Sequence, residues 1–136
     1  MPVMAKPGSV PSAVATRSET ILVVDDDKSV CHLTRRMLQQ RGYTVLSALD
    51  GQTALALAGR HAGRIDLLVT DVAMPYLSGP WLAQQIRAMR PTIRILFMSG
   101  LVSPHNFQGV LGGEFLPKPF TLEGLVEKVQ IIFGSV

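Results

Sequence analysis

The sequence predicts an α/β domain in which a single parallel β-sheet lies between two layers of helices. Three observations predict it. Short apolar stretches alternate with stretches of helical periodicity five times along the chain, the pattern of βαβ units joined by right-handed crossovers. The apolar stretches place hydrophobic residues at consecutive positions, as strands buried on both faces do. Four of them run into polar groups, Asp25-Asp26-Asp27, Asp71, Ser99 and Lys118, and in parallel sheets reactive groups collect at the carboxyl ends of strands.

Residues 1–18 hold Pro2, Pro7, Gly8 and Pro11 among small residues and read as a disordered tail or linker. They lack the continuous apolar core of a signal peptide. Residues 19–134 form the predicted domain, with no internal repeat and no second domain. The first strand, 20–24, is β-branched and apolar. A helix over 28–41 follows, with Val30, Leu33, Met37 and Leu38 as its apolar stripe and Gly42 at the C′ position. A second strand covers 43–48. Asp50 caps a second helix over 52–60, built on Ala54, Leu55, Leu57 and Ala58.

The third strand, 65–70, ends in Asp71 and a loop containing Met74-Pro75 and Ser78-Gly79. Pro80 fits the first turn of a third helix, with Ser78 or Gly79 near the cap. Leu82, Ile86 and Met89 line one face of that helix, and Pro91 ends it. A fourth strand, 93–98, leads into Ser99-Gly100. Between 101 and 113, Pro104, Gly109, Gly112 and Gly113 oppose a long regular helix, leaving a turn or two around 106–111. A short fifth strand, 114–116, runs into Lys118-Pro119-Phe120. Thr121 caps a last helix reaching about 133, with Leu122, Leu125, Val126, Val129, Ile132 and Phe133 at helical spacing.

Composition narrows the function. With 47% hydrophobic and 17% charged residues the chain is an ordinary globular protein, and no apolar run approaches the roughly 20 residues of a membrane helix. The single cysteine, Cys31, allows neither an internal disulfide nor a cysteine metal cluster; a reducing, cytoplasmic setting is expected, with Cys31 as a small packing residue. The pI near 9.4 invites a nucleic-acid partner. Lys6 and Arg17, however, precede every acid, and the remainder holds 11 basic against 10 acidic residues, so the net charge drops from +3 to +1. No direct nucleic-acid contact is expected. Tyr76 and Trp81 stand out as aromatic residues fit for a partner surface, and His32, His61 and His105 read as surface or partly packed residues rather than ligands.

The strand ends therefore assemble carboxylates, a hydroxyl and an ammonium at one sheet edge. Clustered carboxylates repel and take up protons unless a cation offsets them. A hard divalent cation such as Mg²⁺, with oxygen ligands, suits them. A carboxylate is also a nucleophile toward phosphorus, and an ammonium and a hydroxyl are suitable partners for phosphoryl oxygens.

Together, Ile21-Leu22-Val23-Val24-Asp25-Asp26, Asp71-Val72-Ala73-Met74-Pro75 with Ser78-Gly79, Ser99-Gly100 and Lys118-Pro119-Phe120 resemble the receiver domain of two-component response regulators, over roughly residues 19–134. The resemblance implies a flavodoxin-like fold, strand order 2-1-3-4-5. It implies Asp71 as phospho-acceptor, Mg²⁺ held by Asp25, Asp26, Asp71 and the backbone carbonyl of Ala73, and Lys118 paired with the acceptor and then with the phosphoryl group. Ser99 would bond a phosphoryl oxygen and move on activation, with Gly100 leaving room, and Lys118-Pro119 would be cis. Phe115 occupies the place of the family's switching aromatic, often Tyr; without a hydroxyl its switch would rest on ring burial. The donor would be a histidine kinase or a histidine phosphotransfer protein, and the output a protein–protein contact. The domain would act either as a stand-alone protein or as a piece of a larger regulator or hybrid kinase. It would be no enzyme beyond self-catalysed transfer to, and hydrolysis from, Asp71. Ser99 and Lys118 lie 19 positions apart, shorter than the family's usual segment, so a shortened or irregular fourth helix is expected there, and with it an output surface other than the family's common one.

Two alternatives accompany this reading. Asp25-x-Asp27-x-Ser29 after a strand resembles the nucleophile motif of haloacid-dehalogenase-like phosphatases, with Asp25 as nucleophile, but no acidic pair follows Lys118 to complete their metal site. The other is a receiver-fold binding module that is never phosphorylated.

Overall fold

The computed structural model describes residues 19–100 and 113–134. The predicted tail, 1–18, and the breaker-rich segment 101–112, with its expected irregular helix and His105, lie outside the described residues. In chain order the elements are β1 (Thr20–Val24), α1 (Lys28–Gln40), β2 (Thr44–Ala48), α2 (Gly51–Arg60), β3 (Leu67–Asp71), β4 (Ala73–Met74), β5 (Leu77–Ser78), α3 (Gly79–Met89), β6 (Arg94–Ser99), β7 (Glu114–Pro117) and α4 (Leu122–Phe133). Five strands form one sheet in the order β2-β1-β3-β6-β7, all pairs parallel. Counting the sheet strands alone, this is the expected 2-1-3-4-5 order of a flavodoxin-like fold.

Alternation along the central strands divides the core in two, because successive side chains leave a strand on opposite faces. Leu22, Val24 and Leu68 join Ala54, Ala58, Leu82 and Ile86 beneath α2 and α3. Ile21, Val23, Leu67 and Val69 join Cys31, Leu38, Leu125 and Val129 beneath α1 and α4. Leu22, Leu68, Leu82 and Leu125 have no exposed surface, and enclosing such a side chain contributes about 1.5–3 kcal/mol.

Local chemistry starts and stops the helices where expected. Asp50 accepts from Thr53 N–H at 2.7 Å, Ser78 from Trp81 N–H at 3.2 Å and Thr121 from Gly124 N–H at 2.9 Å. Each satisfies an otherwise orphaned helix amide. Gly42, at φ 91°, follows α1 in the left-handed backbone open to glycine.

Three readings require correction. The buried face of α1 is Cys31, Thr34 and Leu38; Leu33 is 54% exposed, because the stripe that packs on β1 and β2 is rotated one position from the most apolar one. Met89 is likewise 44% exposed, its sulfur lying toward Gly59 of α2 and not in the core beneath the helix. The loop after Asp71 contains a hairpin, β4 against β5, with Ala73 paired to Ser78 and Met74 to Leu77. Its turn holds Tyr76 at φ 71°, a conformation most side chains avoid.

Two close fits hold the α2–α3 layer. Arg90, the C-cap of α3, spans to the end of α2: Nε and Nη2 donate to the Ala58 carbonyl at 3.1 and 2.9 Å, Nη2 to that of His61 at 2.9 Å, and Nη1 to that of Gly63 at 2.8 Å. A guanidinium presents donors on three nitrogens in a fixed plane, a span that the single nitrogen of a lysine does not reproduce. Arg90→Lys is expected to cost about 2 kcal/mol in urea unfolding; an unchanged midpoint would show that the fork stabilises nothing. Gly79 lies against β3, its N–H donating to the Val72 carbonyl at 2.8 Å, and a methyl there would overlap the Asp71 carbonyl oxygen. Gly79→Ala is expected to lose about 2 kcal/mol or more. Gly59→Ala, whose methyl meets only Met89 Sδ at 4.0 Å, should be neutral or stabilising in the same assay.

Candidate functional site

Every strand of a parallel sheet points its carboxyl end the same way, so the polar residues that follow β1, β3, β6 and β7 share one edge. β1 is wholly buried through Val24 and delivers Asp25, itself without exposed surface. β3 ends in Asp71, in register with Met98 of β6, and Val72 N–H donates to the Met98 carbonyl at 3.0 Å. The next residue of β6, Ser99, is buried and in register with Pro117 of β7. Lys118 N–H donates to the Ser99 carbonyl at 3.0 Å, and the Lys118-Pro119 bond is cis. The backbone ladder thus brings all four strand ends into one cluster.

Side chains complete it. Lys118 Nζ lies 2.8 Å from Asp25 Oδ2 and 3.4 Å from Asp71 Oδ2. The lysine expected to pair with Asp71 is therefore shared, and its shorter contact is to Asp25. Asp25 Oδ1 accepts the Asp27 N–H at 2.9 Å, which fixes the second face of that carboxylate. Carboxylate oxygens of Asp25, Asp26 and Asp71 fall within 4.8 Å of one another. Asp26 is the exposed member. Asp27 is occupied elsewhere, capping α1 by accepting from the Ser29 and Val30 amides. Ala73 lies on β4, two residues past Asp71. Phe115 is buried in β7, in register with Phe97.

The electrostatics are those of crowded acids under partial cover. Burial pushes the Asp71 carboxyl above the usual carboxylate range; Lys118 opposes the shift, while Asp25 and Asp26 add to it. Burial alone would lower the Lys118 ammonium, but the hydrogen bond and charge of Asp25, together with the charge of Asp71, outweigh it and hold it above the ordinary lysine value. Three carboxyl groups face one ammonium. This donor set, all hard oxygens and short of positive charge, fits a small divalent cation.

Beside Lys118, Val30, Leu33 and Thr34 of α1 with Gly100, Pro119 and Phe120 line a mostly apolar groove next to the acidic cluster. Sequence reasoning missed the part played by Gly79, whose close approach carries the Asp71 backbone, and the hairpin that leads from Asp71 to α3. The signal for the first was Ser78-Gly79-Pro80, a cap followed by a residue with no side chain. Among the described residues no helix is long and apolar enough to cross a membrane.

Residues 21–130 match the response regulator receiver domain family. The chain is 38% identical over 133 residues to the sensor kinase CckA of Brucella abortus (strain 2308), covering 95% of this chain and 14% of that one. It is 39% identical over 118 residues to the response regulator MprA of Mycobacterium ulcerans (strain Agy99), covering 85% of this chain and 50% of that one. The chain therefore spans half or less of the length of these relatives. Among solved structures, the receiver domain of the hybrid histidine kinase CckA matches at 40% identity with a TM-score of 0.71, over 82% of this chain and 96% of that one. The chemotaxis protein CheY4 of Vibrio cholerae matches at 32% identity with a TM-score of 0.76, over 84% and 98%. These likenesses set aside the phosphatase alternative. The chain belongs to the response regulator receiver domain family.

Proposed function

We propose that residues 19–134 form a phospho-accepting unit of a two-component phosphorelay, acting in the cytoplasm, in which Asp71 takes a phosphoryl group from a phosphohistidine. The observation that carries this reading is the sharing of Lys118 Nζ between Asp25 and Asp71, 2.8 and 3.4 Å away, at the exposed edge of the sheet.

In the transfer, an Asp71 carboxylate oxygen attacks phosphorus, the phosphorus–nitrogen bond to the donor imidazole breaks, and its electron pair stays with the imidazole. Lys118 sits where it exchanges its contact with Asp71 for one to a phosphoryl oxygen, stabilising charge as it spreads over the transferred group. The Ser99 hydroxyl donates to another of those oxygens. Gly100, next to Ser99 at the end of β6, adds no side chain to the space those oxygens would take. Asp25, Asp26, Asp71 and the Ala73 carbonyl would hold Mg²⁺, which when bound neutralises the phosphoryl and carboxylate charge. The acyl phosphate ends when water attacks phosphorus and the phosphorus–oxygen bond breaks, returning Asp71.

A histidine kinase or a histidine phosphotransfer protein would supply the group, its helices approaching over the groove of Val30, Leu33, Pro119 and Phe120. Signalling follows from protein contacts, with Ser99 drawn toward the phosphoryl group and the buried Phe115 ring following it. The unit stands alone or forms part of a longer regulator or kinase.

Incubation with acetyl phosphate and Mg²⁺, followed by intact-mass spectrometry, is expected to add one phosphoryl group. Asp71→Asn, or EDTA in place of Mg²⁺, should abolish the adduct. Absence of any adduct from either small donors or phosphohistidine proteins would favour the unphosphorylated binding module.

A second expectation concerns pH. The Asp71 pKa is higher folded than unfolded, so its protonated form favours the folded state, and stability falls as pH rises through the folded value. At pH 7, without metal, the ionised carboxylate therefore costs stability. Asp71→Asn should raise the metal-free urea midpoint at pH 7, and the gap should close toward about pH 4. A variant less stable than the parent at pH 7 would contradict this account of the cluster.

A further inference from the structure

The flank of α1 turned away from the groove of Val30 and Thr34 is basic. Lys28, His32, Arg35, Arg36 and Gln39 follow at spacings of four, three, one and three, which puts them on one side of the helix, and α1 contains no acidic residue. Across from this flank lies the carboxyl end of β2, and between them opens a cleft of about 410 Å³, within the size range of small-molecule sites. Lys28, His32 and Arg35 form its basic wall, Ser29 and Ser47 add hydroxyls, and Cys31 and Leu49 supply an apolar side. No carboxylate lines it. The acids nearest in sequence are engaged elsewhere. Asp25 holds Lys118, Asp26 belongs to the acidic cluster, Asp27 caps α1 and Asp50 caps α2.

Arg35 is the residue that calls for a ligand. Arg90 spends its guanidinium on three carbonyls, and Arg64 pairs with Asp66. Arg35 instead donates through Nη2 to another base, His32 Nδ1, at 3.1 Å. Its Nε is buried without a partner, and among the described residues no ion pair joins it to an acid. A partly enclosed guanidinium left in this way carries a desolvation cost that an anion would offset. An oxyanion bound side-on would give Nε and a neighbouring Nη acceptors together. Because a guanidinium only donates, the His32 ring accepts at Nδ1 and carries its hydrogen at Nε2, one more donor on the same wall. Charge then selects among anions. Lys28 and Arg35 supply two positive charges, which match the dianion that a phosphomonoester becomes above its second pKa of about 6. A carboxylate brings one charge and two oxygens to a wall with more donors than that. Leu49 and Cys31 are left for an organic body.

We propose that the cleft between α1 and the end of β2 binds a small organic phosphomonoester, with the phosphoryl group on Lys28, His32 and Arg35 and the body against Leu49. The proposal does not depend on phosphorylation of Asp71, and its test is run without Mg²⁺. Phenyl phosphate titrated into the ¹⁵N-labelled full chain at about pH 7.5, where it is a dianion, is expected to give saturable amide shifts over residues 28–36 and 47–49, with a Kd below about 1 mM. Arg35→Gln should weaken binding at least about tenfold while leaving the urea midpoint unchanged. Lys28→Gln, at an exposed position, should weaken it in the same direction. Methyl phenyl phosphate, a diester with one charge, should bind at least about tenfold less tightly than the monoester. Shifts that never saturate overturn the proposal, as do shifts centred on Asp71 and Lys118. So does parental affinity in both variants. A diester that binds as tightly as the monoester also overturns it and would assign the cleft to the phosphodiesters of nucleic acid or lipid.

Discussion

The ion pair between Lys118 and Asp25 is the contact on which the site depends. Enclosing a carboxylate costs several kcal/mol unless a partner answers it, and Asp25 has no exposed surface at all. The partner arrives from 93 residues away at 2.8 Å, and what brings it is the sheet. β7 must pair with β6, β6 with β3 and β3 with β1 before Lys118 can reach Asp25. Folding and site assembly are therefore one event. Asp71, beside them, is left with half of a cation and a neighbouring acid. Its carboxyl is pushed upward by burial, and the cluster as a whole stays short of positive charge. That deficit makes a divalent cation and a transferred phosphoryl group fitting occupants together, where either alone would leave charge unbalanced.

Much of this was legible in the residues. Strands buried on both faces leave a continuous apolar signature, and a polar residue that ends such a run marks the sheet edge; Asp25, Asp71, Ser99 and Lys118 were all found in that way. Caps at Asp50 and Thr121 were legible because an orphan amide has few partners within reach. What escaped depended on neighbours that a linear pattern does not contain. Leu33 belongs to an apolar stripe, yet the face of α1 that packs is set by where β1 and β2 lie, and the slimmer Cys31 and Thr34 fit there. The shared lysine escaped because the choice between two carboxylates is a matter of distance. The hairpin escaped because its two strands are two residues each and its turn places a tyrosine where a glycine is expected.

That hairpin ties the acidic cluster to the first turn of α3. It begins two residues after Asp71 and ends at Ser78, the cap of α3. Gly79, next in the chain, lies so close to the Asp71 carbonyl that no side chain fits between them, and Trp81 follows two residues later. The backbone that carries the Asp71 carboxylate and the half-exposed Trp81 thus belongs to one short, tightly packed stretch. Close-packed elements shift as units rather than deform gradually. A change of charge at Asp71 that moves the Val72–Gly79 contact moves the first turn of α3 with it. Coupling of this kind is reciprocal: anything whose contact with the first turn of α3 depends on the charge at Asp71 shifts the equilibrium at Asp71 by the same factor.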